Sequence, residues 1–276
     1  MCSSDLLMDQ KLIALDLDGT TLNAESQLSS KTKEVLQKAQ DAGHIVALVT
    51  GRPNRNSVNY YDELGLKTPM INFNGSLGHI PHQHWNKEYE LTFNRKIAFD
   101  ILHEKENLGI KIIAAEGKNL ALADVPNNVL NGYFPTALKS TEVLNQMNLQ
   151  RDPTSMMLLV DPDKKDNIVH QLESSFGDRI TVGVWGGPNP ILELSPRGIN
   201  KTYGVRYLAN YFNIDRQNVI AFGDEHNDAE MLTYAGWGVA MKNGTDKVRS
   251  LANDVTPLDN VHDGMAYYLE DYLNLA

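Results

Sequence analysis

A chain of 276 residues with 42% hydrophobic content and a formal net charge of −10 has enough apolar material for a core domain and a second one. The acidity speaks against a nucleic-acid or anionic-membrane surface, since both need a basic footprint, but a metal and a few local cations can reverse the field inside a cleft. A single cysteine, Cys2, excludes an intrachain disulfide and fits a reducing cytoplasm, and no apolar run approaches the ~20 residues of a membrane span. Met1–Gln10 lacks the apolar centre of a signal peptide and reads as a disordered tail, with Met8 as an alternative start.

The first element is Leu12–Leu15, an apolar run closed by Asp16-Leu17-Asp18-Gly19-Thr20, which reads as a buried parallel strand. Side chains two apart on a strand share a face, so Asp16 and Asp18 are expected together near its carboxyl end, where open α/β sheets bind ligands. Carboxylates held that close repel, and a hard divalent cation is the usual remedy. Gly19 permits the sharp turn that follows. Taken alone, the motif reads equally as a turn that closes a strand.

Ser29 or Ser30 caps a helix over Thr32–Ala42 that stops at Gly43, and Ile45–Thr50 is a second strand ending in Thr50-Gly51-Arg52-Pro53. A helix over Asn56–Leu64 and a strand over Met70–Asn74 continue the alternation expected of a doubly wound parallel sheet. The rhythm then changes. An amphipathic helix over Asn94–Asn107 precedes strands at Lys111–Ala115 and Leu120–Ala123. A second helix, capped by Asp163 and running through Phe176, precedes strands at Ile180–Val184 and Ile191–Leu194. Helix–strand–strand thus occurs twice, with Pro126–Thr141 irregular between the halves and Trp185-Gly186-Gly187-Pro188 as a hairpin turn. The alternation resumes with a helix over Ile199–Tyr211, a strand over Asn218–Phe222, a helix to Ala235 and a strand over Trp237–Met241. Helices near Asp246–Ala252 and His262–Leu273 follow. The expected organisation is a discontinuous α/β core, residues 9–76 and 194–276, interrupted by an α+β insertion over residues 77–193.

Asp16 and Asp18, Thr50, and the pair Asp224 and Asp228 fall at carboxyl ends of core strands, while Lys201 lies in the first turn of a helix, where backbone N–H groups favour anions. Carboxylate pairs, a hydroxyl and an ammonium are the parts a transferring phosphoryl group needs: a nucleophile, metal ligands and charge neutralisation. Thr50 or Lys201 alone would be an ordinary surface residue, and Asp224 and Asp228 alone would be helix caps. Only their joint occurrence on one sheet edge favours a site. His79, His82 and His84 lie close together beside Pro81, but without a cysteine or paired-histidine motif they read as a solvated hinge rather than a zinc site.

The segments Asp16-Leu-Asp18-Gly-Thr20, Thr50-Gly-Arg52, Ser195-Pro-Arg-Gly198-Ile-Asn-Lys201 and Gly223-Asp224-Glu-His-Asn227-Asp228 occur in one order with an insertion after the third core strand. In this the chain resembles the haloacid dehalogenase superfamily, and within it the Cof-type hydrolases, from Lys11 onward. Thr21 departs from the apolar residue usual there, and His226 occupies a variable position. The resemblance implies a doubly wound core with an α/β cap that closes over the leaving group and selects it. It implies Asp16 as nucleophile through an aspartyl-phosphate, and Asp18 as general acid and then base, with its backbone carbonyl on the metal. Mg²⁺ would be bound by Asp16 and Asp224, with Asp228 anchoring the metal's waters and Lys201. Thr50 and Lys201 would meet the phosphoryl oxygens. Leu17, Gly51, Arg52, Asn74, Gly75 and Asn227 would line the substrate, although Asn74-Gly75 reads equally well as a plain turn. The function implied is hydrolysis of a small phosphomonoester, a sugar phosphate or similar metabolite, with the oligomeric state open. A phosphomutase or phosphotransferase on the same scaffold is the first alternative. A phospho-acceptor signalling domain is the second, disfavoured by the long insertion and by the acid/base at Asp18.

Overall fold

The computed structural model describes residues 10–126, 133–136, 139–185 and 190–275. Strand β1 (Leu12–Leu15) is fully buried, as four consecutive apolar residues require when both faces of a sheet are covered. Helix α1 (Ser30–Asp41) follows, with the Ser29 side chain accepting the Thr32 N–H as its cap. Then come β2 (Ile45–Leu48), α2 (Val58–Glu63), β3 (Met70–Asn72) and β4 (Leu77–His79), which turns back antiparallel on β3. Strand β5 (Tyr89–Glu90) follows.

Helices α3 (Arg95–His103) and α4 (Lys105–Leu108) replace the one helix expected over Asn94–Asn107; the chain breaks at Glu104 and stops at Gly109 in the left-handed region. Strands β6 (Ile110–Gly117), β7 (Leu120–Ala123) and β8 (Ser155–Val160) come next, then α5 (Lys165–Phe176), β9 (Ile180–Val184) and β10 (Ile191–Pro196). The helix–strand–strand reading passes over β8, a continuous apolar run whose periodicity cannot tell strand from helix. Asp163 does not cap α5. It lies in a preceding 3₁₀ turn, and the residue before the helix is Lys164. The expected turn at Gly186-Gly187-Pro188 and parts of the Pro126–Thr141 stretch lie outside the described residues.

Helix α6 (Lys201–Phe212), β11 (Val219–Gly223), α7 (Ala229–Tyr234), β12 (Trp237–Ala240), α8 (Asp246–Leu251), β13 (Asp254–Val255) and α9 (Gly264–Leu273) complete the chain.

These elements form two compact units divided at Glu88/Tyr89 and at Ile199/Asn200, later on both sides than the boundaries read from sequence. The reason is local. Residues 77–79 pair with β3, and β10 runs on through Pro196 to pair with β9. The first unit is built on a parallel sheet in the order β13-β12-β11-β1-β2, and a bridge from Val49 to Ile71 brings β3 alongside β2. Ile13, Leu15, Val46, Leu48, Ile220 and Phe222 form its core with α1 and α9. The second unit is an antiparallel sheet, β7-β6-β8-β10-β9, whose Ile113, Met156, Leu158 and Leu192 pack with Ile97, Ile101, Ile168 and Leu172 of α3 and α5. No described helix is long and apolar enough to cross a membrane.

One close approach matters for function. Helix α6, which starts at Lys201, packs on β3 and the turn after it through Gly204, where a Cβ would lie 2.5 Å from Ile71 Cγ2. Ile71 is fully buried and cannot swing away. Gly204→Ala should therefore lower the melting temperature, since overpacking of about 1–3 kcal/mol outweighs the ~1 kcal/mol that alanine gains in a helix. A thermal melt showing a rise would contradict this packing.

Candidate active site

Every residue described here belongs to the first unit. The β1–β11 register pairs Leu15 with Phe222, and the Asp16 N–H donates to the Phe222 carbonyl at 3.2 Å. The chain leaving β1 and the chain leaving β11 therefore emerge side by side at the carboxyl edge of the sheet. Asp16 follows β1, Thr50 follows β2 and Asp224 follows β11, so parallel pairing alone delivers three of the expected site residues to one edge.

Lys201 completes the cluster. Its side chain is fully buried, and Nζ lies 2.5 Å from Asp16 Oδ1 and 2.7 Å from Asp228 Oδ1. Asp228 Oδ2 in turn accepts the N–H groups of Asp224 at 3.0 Å and Glu225 at 3.1 Å, which shapes the loop after β11. Asp224 Oδ1 accepts from the Thr20 hydroxyl at 3.1 Å. Gly19, at φ +74°, sits where a Cβ would collide with the Asp224 carboxylate, so the Asp-Gly-Thr turn needs glycine for both space and backbone angle.

Charge balance is the central property of this cluster. Burial works against the Lys201 charge, but the Asp16 and Asp228 carboxylates outweigh it and hold the ammonium above its ordinary range. One ammonium does not satisfy three carboxylates. Burial, opposed by Lys201 and reinforced by Asp228 and Asp224, raises Asp16 well above the usual carboxylate range. Burial and then the Asp228 charge push Asp224 up to about 7. The cluster thus holds more carboxylates than its one ammonium balances, in a dry place, and a hard divalent cation would offset the excess. The donors fit such an ion: Asp16, Asp224 and Asp228 are buried, all oxygen, and each offers an atom within 4.8 Å of the others. With both oxygens of Asp228 already accepting from Lys201 and backbone N–H groups, Asp16 and Asp224 are the better direct ligands.

The remaining expected residues divide. Thr50 is buried, and its hydroxyl accepts the Arg52 N–H at 3.1 Å, so its proton is the part available to donate. Gly51 lies against the Asn74 amide, where a Cβ would be 3.1 Å away. Asn74 is left-handed at φ +51°, and Gly75 at +104° shares its turn; Asn74 Oδ1 accepts from Asn227 Nδ2 at 3.0 Å, tying the loops after β3 and β11 together. The Leu17 side chain is buried in the core, so only its backbone can face a ligand. Asp18 does not join Asp16: its carboxylate is held by Arg52 Nε at 2.7 Å and Nη2 at 2.5 Å, and Asp224 and Asp228 take the place expected of it beside Asp16.

Sequence reasoning overlooked several supports. The buried Thr21 hydroxyl donates to the Asp16 carbonyl at 2.5 Å. Asn243 Nδ2 donates to the Gly19 carbonyl at 2.8 Å, a partner more than 200 residues away that no local pattern announces. His79 is buried rather than solvated, with Nε2 2.9 Å from Asn72 Oδ1, whereas the exposed His82 sits 2.8 Å from Asp62. His226 is half-exposed beside Glu225.

With this geometry in view, the comparisons with known proteins are decisive. Residues 13–269 match the haloacid dehalogenase-like hydrolase family. The chain belongs to that family. Its Cof-type motifs place it in the corresponding subfamily, and it is an enzyme, a phosphatase of this group. It is 33% identical to a 5-amino-6-(5-phospho-D-ribitylamino)uracil phosphatase of Bacillus subtilis, over 96% of this chain and 98% of that one. A haloacid dehalogenase-like hydrolase structure from B. subtilis superposes with a TM-score of 0.75 at 28% identity, covering 95% of this chain and 99% of the other. A Thermotoga maritima structure superposes at 0.79 with 24% identity, over 95% and 97% of the two chains, and shares the fold.

The raised Asp224 carboxyl has a consequence for pH. Its folded value of about 7 exceeds the unfolded value of about 3.9, so the folded protein binds an extra proton between them. Stability from this group is full below pH ~4 and is lost as pH rises through about 7 in cation-free protein. A divalent cation competes with that proton. The gain in melting temperature between EDTA and millimolar divalent cation should therefore grow from pH 5.5 to pH 8. Equal gains at both pH values would refute the charge balance described here.

Proposed function

We propose that this phosphatase hydrolyses a small phosphomonoester with the help of Mg²⁺, through an aspartyl-phosphate on Asp16. The observation that carries this reading is the buried Asp16–Lys201–Asp228 bridge beside Asp224, a nucleophile fixed by a cation within a cluster still short of positive charge. Mg²⁺, held by Asp16, Asp224 and the Asp18 carbonyl, would supply charge neutralisation for the transferring group. The chain's own residues do the rest. Lys201 holds Asp16 Oδ1 and so fixes the orientation of the attacking carboxylate. Thr50 and the neighbouring Gly51 backbone receive the phosphoryl oxygens. Asp16 forms a bond to phosphorus as the bond to the leaving oxygen breaks, and Asp18, entering the step as the carboxylic acid, gives that oxygen its proton. Asp18, now a carboxylate, then takes a proton from the water that attacks phosphorus and releases Asp16.

The second unit is assigned the choice of leaving group. The activity of the Bacillus subtilis relative suggests where to begin: a ribityl phosphate carrying an aminouracil, alongside hexose phosphates, pyridoxal phosphate and flavin mononucleotide. Phosphate release from such a panel tests the substrate class. A flat response across it would remove the selective role given to the second unit.

The two aspartates should separate kinetically. Asp16→Asn should abolish turnover of every substrate, because an amide neither attacks phosphorus nor carries the charge. Asp18→Asn should slow an alkyl phosphate by roughly 10²–10⁴, the usual yield of general acid catalysis. With p-nitrophenyl phosphate, whose leaving group needs no proton, it should show a nitrophenol burst near one equivalent with phosphate retained on the protein. Rapid-quench measurements with no burst, and both variants equally inactive on both substrates, would refute this division of roles.

A further inference from the structure

Arg52 follows Thr50 in the loop after β2 and was expected to meet the substrate. Its guanidinium is engaged elsewhere. Nε and Nη2 form a two-point fork on Asp18, at 2.7 and 2.5 Å. On its far side Nη1 donates to the Asn56 carbonyl at 3.1 Å and reaches the Tyr60 hydroxyl at 3.5 Å, and the guanidinium centre lies 5.4 Å from the centroid of the Tyr60 ring. The Tyr60 hydroxyl is itself anchored on the Ser26 carbonyl at 2.8 Å.

The backbone is pinned as well. The Arg52 N–H donates to Thr50 Oγ1, and the Arg52 carbonyl accepts from Asn72 Nδ2 at 2.8 Å. Asn72 is fully buried, also donates to Ser57 Oγ at 2.8 Å, and is held by His79 at 2.9 Å. A half-exposed ion pair contributes little when two flexible side chains must be frozen to form it. Here that entropy is largely spent before Asp18 arrives, because Arg52 is 22% exposed and fastened by its ring, its carbonyl partner and its own backbone, while the Asp18 side chain is 57% exposed. The preorganised partner is the arginine and the guided one is the aspartate.

We infer that Arg52 is a positioning residue, which aims the Asp18 carboxylate by a bidentate fork and acts on turnover through Asp18 rather than by binding the phosphoryl group. This rests on the acid/base role proposed for Asp18. It also gives the buried His79–Asn72 pair a purpose, since they hold the loop from which the fork is projected.

A double-variant cycle on p-nitrophenyl phosphate and a sugar phosphate tests the inference, using wild type, Asp18→Asn, Arg52→Ala, Arg52→Lys and Asp18→Asn/Arg52→Ala. Misplacing a reacting group by an ångström costs about 10²-fold. Arg52→Ala should thus lower kcat on the sugar phosphate by about that factor, with much less effect on p-nitrophenyl phosphate and KM changed by less than about threefold. Arg52→Lys, which keeps the charge and the fold but not the fork, should show the same pattern more weakly. Adding Arg52→Ala to Asp18→Asn should slow the single-turnover burst by no more than about twofold. The inference is overturned if Arg52→Ala or Arg52→Lys raises KM equally for both substrates with kcat kept, or if the arginine and aspartate effects multiply in the double variant. Leaving-group independence of Asp18→Asn by itself would instead fault the acid/base assignment, while the non-multiplying double variant would still support the pairing.

Discussion

The buried ammonium of Lys201 among three carboxylates is the interaction on which the rest of this structure depends. Removing any one of these groups from water is costly, and only mutual contact makes their burial tolerable. The bridge from Asp16 to Asp228 therefore ties the loop after β1 to the loop after β11 and to the start of α6, three places far apart in sequence. It also leaves the cluster with more negative than positive charge. That imbalance is what a hard divalent cation would offset.

The parallel sheet makes such a cluster possible. Strands that run in one direction end at one edge, and the registers of β1 with β2 and with β11 are in step, so residues just beyond Leu15, Leu48 and Phe222 come out level. The strands themselves are apolar and fully buried, which leaves their ends as the first positions where polar groups can appear. Close backbone approaches refine the placement. Gly19 makes room for Asp224, Gly204 lets α6 settle on Ile71, and Gly223 leaves space for the Asp228 side chain.

Around the carboxylates lie further hydrogen bonds from uncharged side chains, which orient the loops. Thr20 holds Asp224, Thr21 holds the Asp16 carbonyl, Asn243 holds Gly19, and the Asn227–Asn74 contact joins two loops. His79, Asn72 and Ser57 do the same from beneath the loop that carries Arg52. Buried polar groups such as Thr20, Thr21, Asn72 and Ser57 are stabilising only when partnered, and that requirement favours one geometry for the loops they support.

Much of this was legible in the amino-acid sequence. Continuous apolar runs marked β1, β2 and β11, Ser29 or Ser30 marked the start of α1, and polar motifs at the ends of those runs marked Asp16, Thr50, Asp224 and Asp228 as one edge. Lys201 was legible only together with the other motifs, because a lone lysine at a helix start reads as an ordinary surface residue. What the sequence could not supply was pairing between distant side chains. Period-two alternation places Asp16 and Asp18 on one face, but only the tertiary structure shows Asp18 turned to Arg52 and Asp16 turned to Lys201. His79 resembled its exposed neighbours until β4 paired with β3 and buried it against Asn72. Strand β8 and the unit boundaries escaped for the same reason: a fully apolar run has no period to read, and a strand's membership in a sheet is settled by its hydrogen-bonded partner. Local chemistry is written in neighbouring residues, whereas the partner of a charge is chosen by whatever the fold brings within a few ångströms of it.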